Sequence, residues 1–168
     1  GYGAKVIVPG TGVVLNNEMD DFAIAPGQPN AFGLVGAEAN AVAARKRPLS
    51  SMSPTIVLQD GQPVLTVGAA GGPTIISQVL QTVVRCLDLK MPLPEAVASP
   101  RIHHQWSPDR LRVENGVDDA IRQGLVARGH TLTPVARMGV CQAIFFDIAS
   151  KSFLGVHDPR TPGKAAGP

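Results

Sequence analysis

The run Arg47-Pro48-Leu49-Ser50-Ser51-Met52-Ser53-Pro54-Thr55 puts three serines just ahead of an apolar, strand-like segment. Hydroxyls in that position either satisfy backbone donors in a turn or hold a carboxylate, and the pattern alone favours the turn. A second run, Gly68-Ala69-Ala70-Gly71-Gly72-Pro73, sits between a strand pattern and a helix pattern. Adjacent glycines there give a tight turn with positive φ. They could also expose backbone N–H groups beside a helix N-terminus, where a developing oxyanion is stabilised. No Gly-Lys-Ser/Thr follows, so this is not a phosphate-binding P-loop. A third run, Asn16-Asn17-Glu18-Met19-Asp20-Asp21-Phe22, packs three carboxylates into four residues. It is either a solvated turn or a receptor for a substrate ammonium group, by charge and hydrogen bonding.

Two further strings are expected to be structural. Arg101-Ile102-His103-His104-Gln105-Trp106 holds two histidines and the single tryptophan. It could serve a metal or a general base, but no acidic partner stands at ligand spacing, so packing of polar-tipped side chains is expected. Asp158-Pro159-Arg160 reads as an ion pair or turn.

The elements that must position these strings follow from periodicity. Val6–Leu15, broken by Pro9-Gly10-Thr11-Gly12, predicts two short strands around a turn. Residues 25–39, rich in Gly, Pro and Asn, predict a long ordered loop of the kind that often acts as a lid. Thr55–Leu58 and Val64–Val67 flank an Asp60-Gly61 pair and predict a hairpin. From Pro73, apolar residues at 75, 76, 79, 80, 83, 84 and 87 predict a helix with one buried face. A short helix over 94–98 and a strand over 110–114 follow. Asp118 or Asp119 caps a helix running to Arg128, with Ile121 and Leu125 on its buried side and Gly129 as its stop. Residues 131–135, 140–147 and 153–156 read as three closing strands. Strands, then helices, then strands point to an α+β layered sandwich in one domain over 1–168.

Bulk properties narrow the function. The 168 residues suffice for one domain with a real core. A net charge of +2 gives no footprint for nucleic acid, and the Arg45–Arg47 cluster is a solvated loop. No stretch is long and apolar enough for a membrane span. The spacing of Cys86 and Cys141 does not say whether they pair; two free buried thiols are expected. No cofactor or metal site is expected. The chain starts at Gly1 without a methionine and runs straight into Val6–Val8, so a processed or trimmed polypeptide is expected.

Taken in order, Asn16–Phe22, Gly33-Leu34-Val35-Gly36, Lys46–Thr55, Gly71-Gly72, Pro100–Trp106 and Asp158–Arg160 resemble the γ-glutamyltranspeptidase family over essentially the whole chain. The serine-centred string is long and highly specific. The resemblance implies an αββα four-layer sandwich of the N-terminal-nucleophile hydrolase type, of which this chain is the small-subunit part. It implies a precursor that cuts itself into a large and a small subunit. The new N-terminal threonine of the small subunit then attacks a γ-glutamyl amide, usually glutathione, and its own α-amine serves as base. Water or an amino acid takes the acyl group from the resulting ester. Carried onto this chain, Glu18 and Asp21 hold the α-amino group of the substrate. Ser50 and Ser51 hold its α-carboxylate, with help from an arginine of the large subunit. Gly71 and Gly72 supply the oxyanion N–H groups. The family setting also implies a periplasmic or extracellular location.

Three departures from the family pattern matter. The Thr-Thr-His-x-Ser start and the Thr-x-Asn element are not among these residues and are expected upstream of Gly1. Ala69-Ala70 replace a frequent Ser-Pro, which alters turn stiffness more than chemistry. Phe32, in the lid-like loop 26–36, stands where a tyrosine often latches the lid to an asparagine, so a looser lid biased towards hydrolysis is expected. Two other readings remain. One is a related acylase acting on glutaryl-cephalosporin or poly-γ-glutamate, against which the Glu18/Asp21 pair argues because glutaryl compounds lack an α-amino group. The other is a catalytically silent scaffold.

Overall fold

A computed structural model of the protein describes residues 3–167. Gly1, Tyr2 and Pro168, the ends of the expected 1–168 domain, lie outside the described residues. The chain forms two compact units, Gly1–Ser50 and Ser51–Pro168.

The first unit is built from turns. Ile7 bridges Val14 in antiparallel fashion, with Val8 N–H donating to Val13 O at 2.9 Å, so the expected pair of strands reduces to a short ladder around the Pro-Gly turn. A 3-10 turn spans Glu18–Asp21. Phe22 and Ala23, directly after it, are the buried apolar residues of this unit among those described. Ala23 bridges Ala41 in parallel. The expected loop follows, folded back on itself by a Pro29–Val35 bridge.

The second unit holds the regular elements, β1 (Thr55–Gln59), β2 (Gln62–Ala70), α1 (Thr74–Leu87), α2 (Leu93–Ala98), β3 (Ile102–His103), β4 (Leu111–Glu114), α3 (Asp119–Ala127), β5 (Leu132–Val135), β6 (Val140–Asp147) and β7 (Ser152–Val156). The class is α+β. Strands β1-β2-β6-β7 form one antiparallel sheet, and β3-β4-β5 form a second, smaller one. The β1–β2 turn is Asp60-Gly61 with φ of 51° and 78°, the two positive values that a type I′ hairpin requires. Asp118 caps α3 by accepting from Ala120 N–H at 2.7 Å.

Leu65, Val67, Cys141 and Ala143 on one face of the large sheet pack against Ile75 and Val79 of α1 and Leu93 and Val97 of α2. Truncating one of these larger side chains to alanine should cost about 2–5 kcal/mol. A smaller cluster, Leu111, Val113 and Val117, supports the second sheet. Both cysteines are free; Cys141 is buried and Cys86 half-buried.

Three expectations are corrected. The seven apolar positions of α1 do not share one buried face: Ile75 and Val79 face the sheet, whereas Ile76 and Leu80 are 52% and 59% exposed. Seven positions cover more arc than one sheet can bury, so the row at 76, 80 and 84 is left outside. In α3 only Leu125 packs inward, and Ile121 is exposed. Finally, β5 does not close the sheet with β6 and β7. It runs parallel to β4, with α3 as the crossover that a parallel pair needs.

Candidate functional site

In the first unit the acidic turn is set by asparagines. Asn16 Oδ1 accepts from Glu18 N–H at 3.0 Å, which starts the 3-10 turn. Glu18 and Asp21 are both half-buried. Burial pushes the Asp21 carboxyl up to about 6. The hydrogen bond that its protonated form donates to Glu18, and the charges of Glu18 and Asp20, add to the rise.

Asn40 ties this turn to the serine string. Its Nδ2 donates to Asp21 O at 2.7 Å, and its Oδ1 accepts from Leu49 N–H at 3.0 Å. Asn40 thereby joins the backbone of the acidic turn to the backbone just before Ser50. Asn30 does the same for the lid-like loop. It donates to Asp20 O at 3.0 Å and accepts from Phe32 N–H and Leu34 N–H at 2.9 and 3.0 Å. The loop is pinched at its ends, where Gly27 N–H donates to Gly36 O at 2.9 Å. Phe32 is exposed at its tip.

In the second unit the serines divide by task. Ser53 Oγ donates to Ser51 O, and Thr55 Oγ1 donates to Ser53 O, each at 3.1 Å. These two hydroxyls serve the turn. The half-buried Ser51 hydroxyl has no protein partner among the described residues.

The diglycine joins β2 to α1. Gly71 and Gly72 have φ of 141° and 58°, values that L side chains rarely adopt. A Cβ on Gly71 would stand 2.6 Å from Thr74 Oγ1 and 3.0 Å from Gly139 Cα. The turn's carbonyls are used, by Thr74 N–H on Gly71 O at 3.4 Å and Ile75 N–H on Gly72 O at 3.0 Å. The Gly71 and Gly72 N–H groups donate to nothing among the described residues. Unspent donors at a helix N-terminus are what a negative oxygen needs.

Behind this turn lies a buried ionic cluster. Arg101, 1% exposed, pairs with Asp158 at 2.6 Å and donates to Met138 O and Val97 O at 3.0 Å each. Arg160 pairs with Asp158 at 3.1 Å and with Glu114 at 2.5 Å. Burial works against the charges of Glu114 and Asp158. The Arg160 guanidinium and the Met138 N–H outweigh it at Glu114, and the N–H groups of Arg160 and Cys141 with the Arg101 guanidinium do so at Asp158. Both carboxyls are therefore held below the ordinary range. The Asp158–Arg160 ion pair thus exists, inside a larger network.

His103 is also packed as expected, its Nδ1 2.8 Å from Ser77 Oγ and its Nε2 3.0 Å from Gln105 Oε1. Burial lowers its pKa. Trp106, by contrast, is 80% exposed. Among the described residues no group of three His, Cys, Asp or Glu could hold a metal.

Asn40, Asn30 and Gln78 escape the sequence reading. The available signal for Gln78 was a polar residue on the buried stripe of an apolar helix, four residues after Thr74. The asparagines look like any others in a Gly- and Pro-rich loop.

The chain also has close relatives of known description. A family model described as gamma-glutamyltranspeptidase matches residues 1–168. The glutathione hydrolase proenzyme of Escherichia coli K12 is 46% identical over 160 residues, 95% of this chain and 27% of that protein. The chain therefore spans about a quarter of that relative's length. The crystal structure of the Helicobacter pylori gamma-glutamyltranspeptidase T380A mutant superposes with a TM-score of 0.88 at 46% identity. It covers 96% of this chain and 88% of that one. A cephalosporin acylase from Bacillus halodurans shares the fold at a TM-score of 0.81 but is 27% identical, covering 99% of this chain and 30% of that one. A match over the full length, with the motif order and the α+β fold in agreement, means that this chain belongs to the gamma-glutamyltranspeptidase family.

Proposed function

We propose that this chain is the small-subunit portion of a γ-glutamyltranspeptidase, or glutathione hydrolase, that moves a γ-glutamyl group from glutathione or a related amide to water or an amino acid. The observation that carries the reading is the Asn40 link. It ties the backbone of a turn that carries two half-buried carboxyls to the backbone just before Ser50, so that groups suited to a cation and to an anion share one hydrogen-bonded framework, as the two charges of an α-amino acid require.

In this reading Glu18 and Asp21 receive the donor's α-ammonium, and Ser50 and Ser51 donate to its α-carboxylate. The nucleophile is a threonine of the Thr-Thr-His-x-Ser segment, a string absent from these 168 residues. Its hydroxyl adds to the γ-carbonyl while its own amine takes the proton. The oxygen, now negative, receives the Gly71 and Gly72 N–H groups. Collapse expels the amine, which leaves with that proton, and gives a γ-glutamyl-threonyl ester. Water or an acceptor amine then cleaves the ester through the same oxyanion. Losing one such donor typically costs about 3 kcal/mol of transition-state stabilisation.

The partner is the large subunit of the same precursor. Support comes from the sheet face turned away from α1, where Ile56 and Leu58 are 65% and 59% exposed. Ile56, Thr66, Ile144 and Gly155 line a groove there of about 700 Å3. A contiguous apolar sheet face calls for a second layer, and the αββα architecture supplies one from the large subunit. No helix among the described residues is long and apolar enough to cross a membrane. The family setting favours a periplasmic or extracellular location.

The test compares hydrolysis of γ-glutamyl and glutaryl p-nitroanilides by the assembled two-subunit enzyme. A preference of ~100-fold or more in kcat/KM for the γ-glutamyl compound is expected, since a site built for an ammonium is left with unpaired polar groups by glutaryl. Equal rates, or a preference for glutaryl, would favour the acylase reading instead. No turnover of either would favour the scaffold.

A further inference from the structure

We propose that Gln78 is a positioning residue for the oxyanion donors: its carboxamide, gripped by Arg101, sets the direction of the N–H groups of the diglycine turn. The inference rests on the reading of Gly71 and Gly72 as the oxyanion site.

A peptide unit is planar and trans, so fixing a carbonyl oxygen aims the N–H on its far side. The Gly71 N–H belongs to the same unit as Ala70 O, and the Gly72 N–H to the same unit as Gly71 O. Gln78 Nε2 donates to Ala70 O at 3.2 Å. It also donates to Thr74 Oγ1 at 3.0 Å, and that hydroxyl donates on to Gly71 O at 2.8 Å. Both carbonyls are held from one side by the Gln78–Thr74 pair, and both N–H groups are left unspent on the other. Donation to a carbonyl also polarises its amide, which strengthens the N–H as a donor.

The carboxamide is itself immobilised. Gln78 is 1% exposed, and its Oε1 accepts from Arg101 Nη1 at 3.1 Å. Arg101 is anchored in turn by Asp158. Two glycines open the slot that the amide fills. A Cβ on Gly71 would stand 3.1 Å from Gln78 Nε2, and one on Gly139 would overlap both Nε2 and Ala70 O. Burying an amide on the apolar face of a helix costs free energy unless its donors and acceptor are all engaged. Here they are, on the turn and on the arginine, whereas packing alone would be served by leucine or methionine.

The experiment measures kcat and KM for γ-glutamyl p-nitroanilide hydrolysis by the assembled enzyme carrying Gln78→Met, Thr74→Val or Gly71→Ala. Displaced oxyanion donors lower kcat without weakening ground-state binding. Gln78→Met and Thr74→Val should each reduce kcat ~10-fold with KM within about twofold, part of the 100-fold or greater loss for a missing donor. Thr74→Val gives the same test should Gln78→Met not fold. Wild-type kcat in both, with a large loss in Gly71→Ala, overturns the role of Gln78 and leaves the oxyanion reading standing. Wild-type kcat in Gly71→Ala overturns both. Parallel losses in kcat and thermal stability, with KM raised in step, overturn the positioning role in favour of a packing one.

Discussion

A carboxyl that takes up a proton near pH 6 is an unusual receptor for an ammonium group, and Asp21, proposed for that role, is such a carboxyl. Burial, the Glu18 hydrogen bond and the nearby negative charges all favour its neutral form. A bound ammonium reverses the balance, so binding and proton release are coupled. As pH falls through about 6, Asp21 becomes protonated in the free enzyme and must lose that proton to bind. KM for a γ-glutamyl donor should therefore rise below about pH 6 and stay level above it, as a pH series of initial rates would record. Glu18→Gln removes a negative neighbour and should move that break to lower pH. Asp21→Asn should raise KM about 10- to 100-fold, the worth of a charge-assisted hydrogen bond. Phe32 carries the remaining prediction at this scale. Its ring stands at the tip of a loop held by Asn30 but offers no hydroxyl. Phe32→Tyr should raise the ratio of transfer to hydrolysis with glycylglycine as acceptor, and an unchanged ratio would exclude a latch at this position.

Among the elements, Asn40 matters most, because it holds Asp21 O and Leu49 N–H and so sets the path of the chain between the acidic turn and the start of the serine string. Asn40→Ala should raise KM about tenfold, from the loss of two hydrogen bonds of ordinary strength, while kcat stays within a few-fold. A drop in kcat at constant KM would contradict that role. The contrast between Asn40 and the hairpin shows what was readable beforehand. Asp60-Gly61 announces its turn because only a few residues tolerate two positive φ values, and the apolar period of α1 announces a helix. Neither signal depends on a distant partner. Asn40 and Gln78 act through contacts 9 to 23 residues away, with Leu49, Asp21 and Arg101, and no local pattern encodes those. Pairing of β5 with β4 was hidden for the same reason, since strand order is a matter of long-range packing. The residues proposed for the site, Glu18, Asp21, Ser50, Ser51, Gly71 and Gly72, stand out only through the family's motif order. Their residue types alone left a turn as the plainer explanation for each.

At the scale of the whole molecule, the Arg101–Asp158–Arg160–Glu114 cluster ties α2, β4, the loop before β6 and the Asp158–Arg160 turn together. A buried charge left without its partner is costly, so Asp158→Asn should destabilise by about 3–5 kcal/mol, read as a large fall in Tm. Both carboxyls have folded pKa values below their unfolded ones. Their contribution is therefore fully present above the unfolded values, near pH 4, and is lost as pH falls through the folded ones. Acid unfolding should begin only below about pH 4, and Asp158→Asn should flatten that limb of the stability profile. The uncovered apolar sheet face belongs to the same scale and predicts that the chain needs its second layer to stay in solution.

In the proposed complex one γ-linked glutamate is gripped at both charged ends while its side-chain carbonyl meets the diglycine turn. A crystal structure of the assembled enzyme with a bound γ-glutamyl analogue tests it most directly. The α-ammonium is expected within ~3 Å of the Asp21 carboxyl, the α-carboxylate within ~3 Å of the Ser50 and Ser51 hydroxyls, and the carbonyl oxygen within ~3 Å of the Gly71 and Gly72 N–H groups, the ordinary hydrogen-bond range. An analogue seated elsewhere, or with its carbonyl turned away from Gly71 and Gly72, would contradict it.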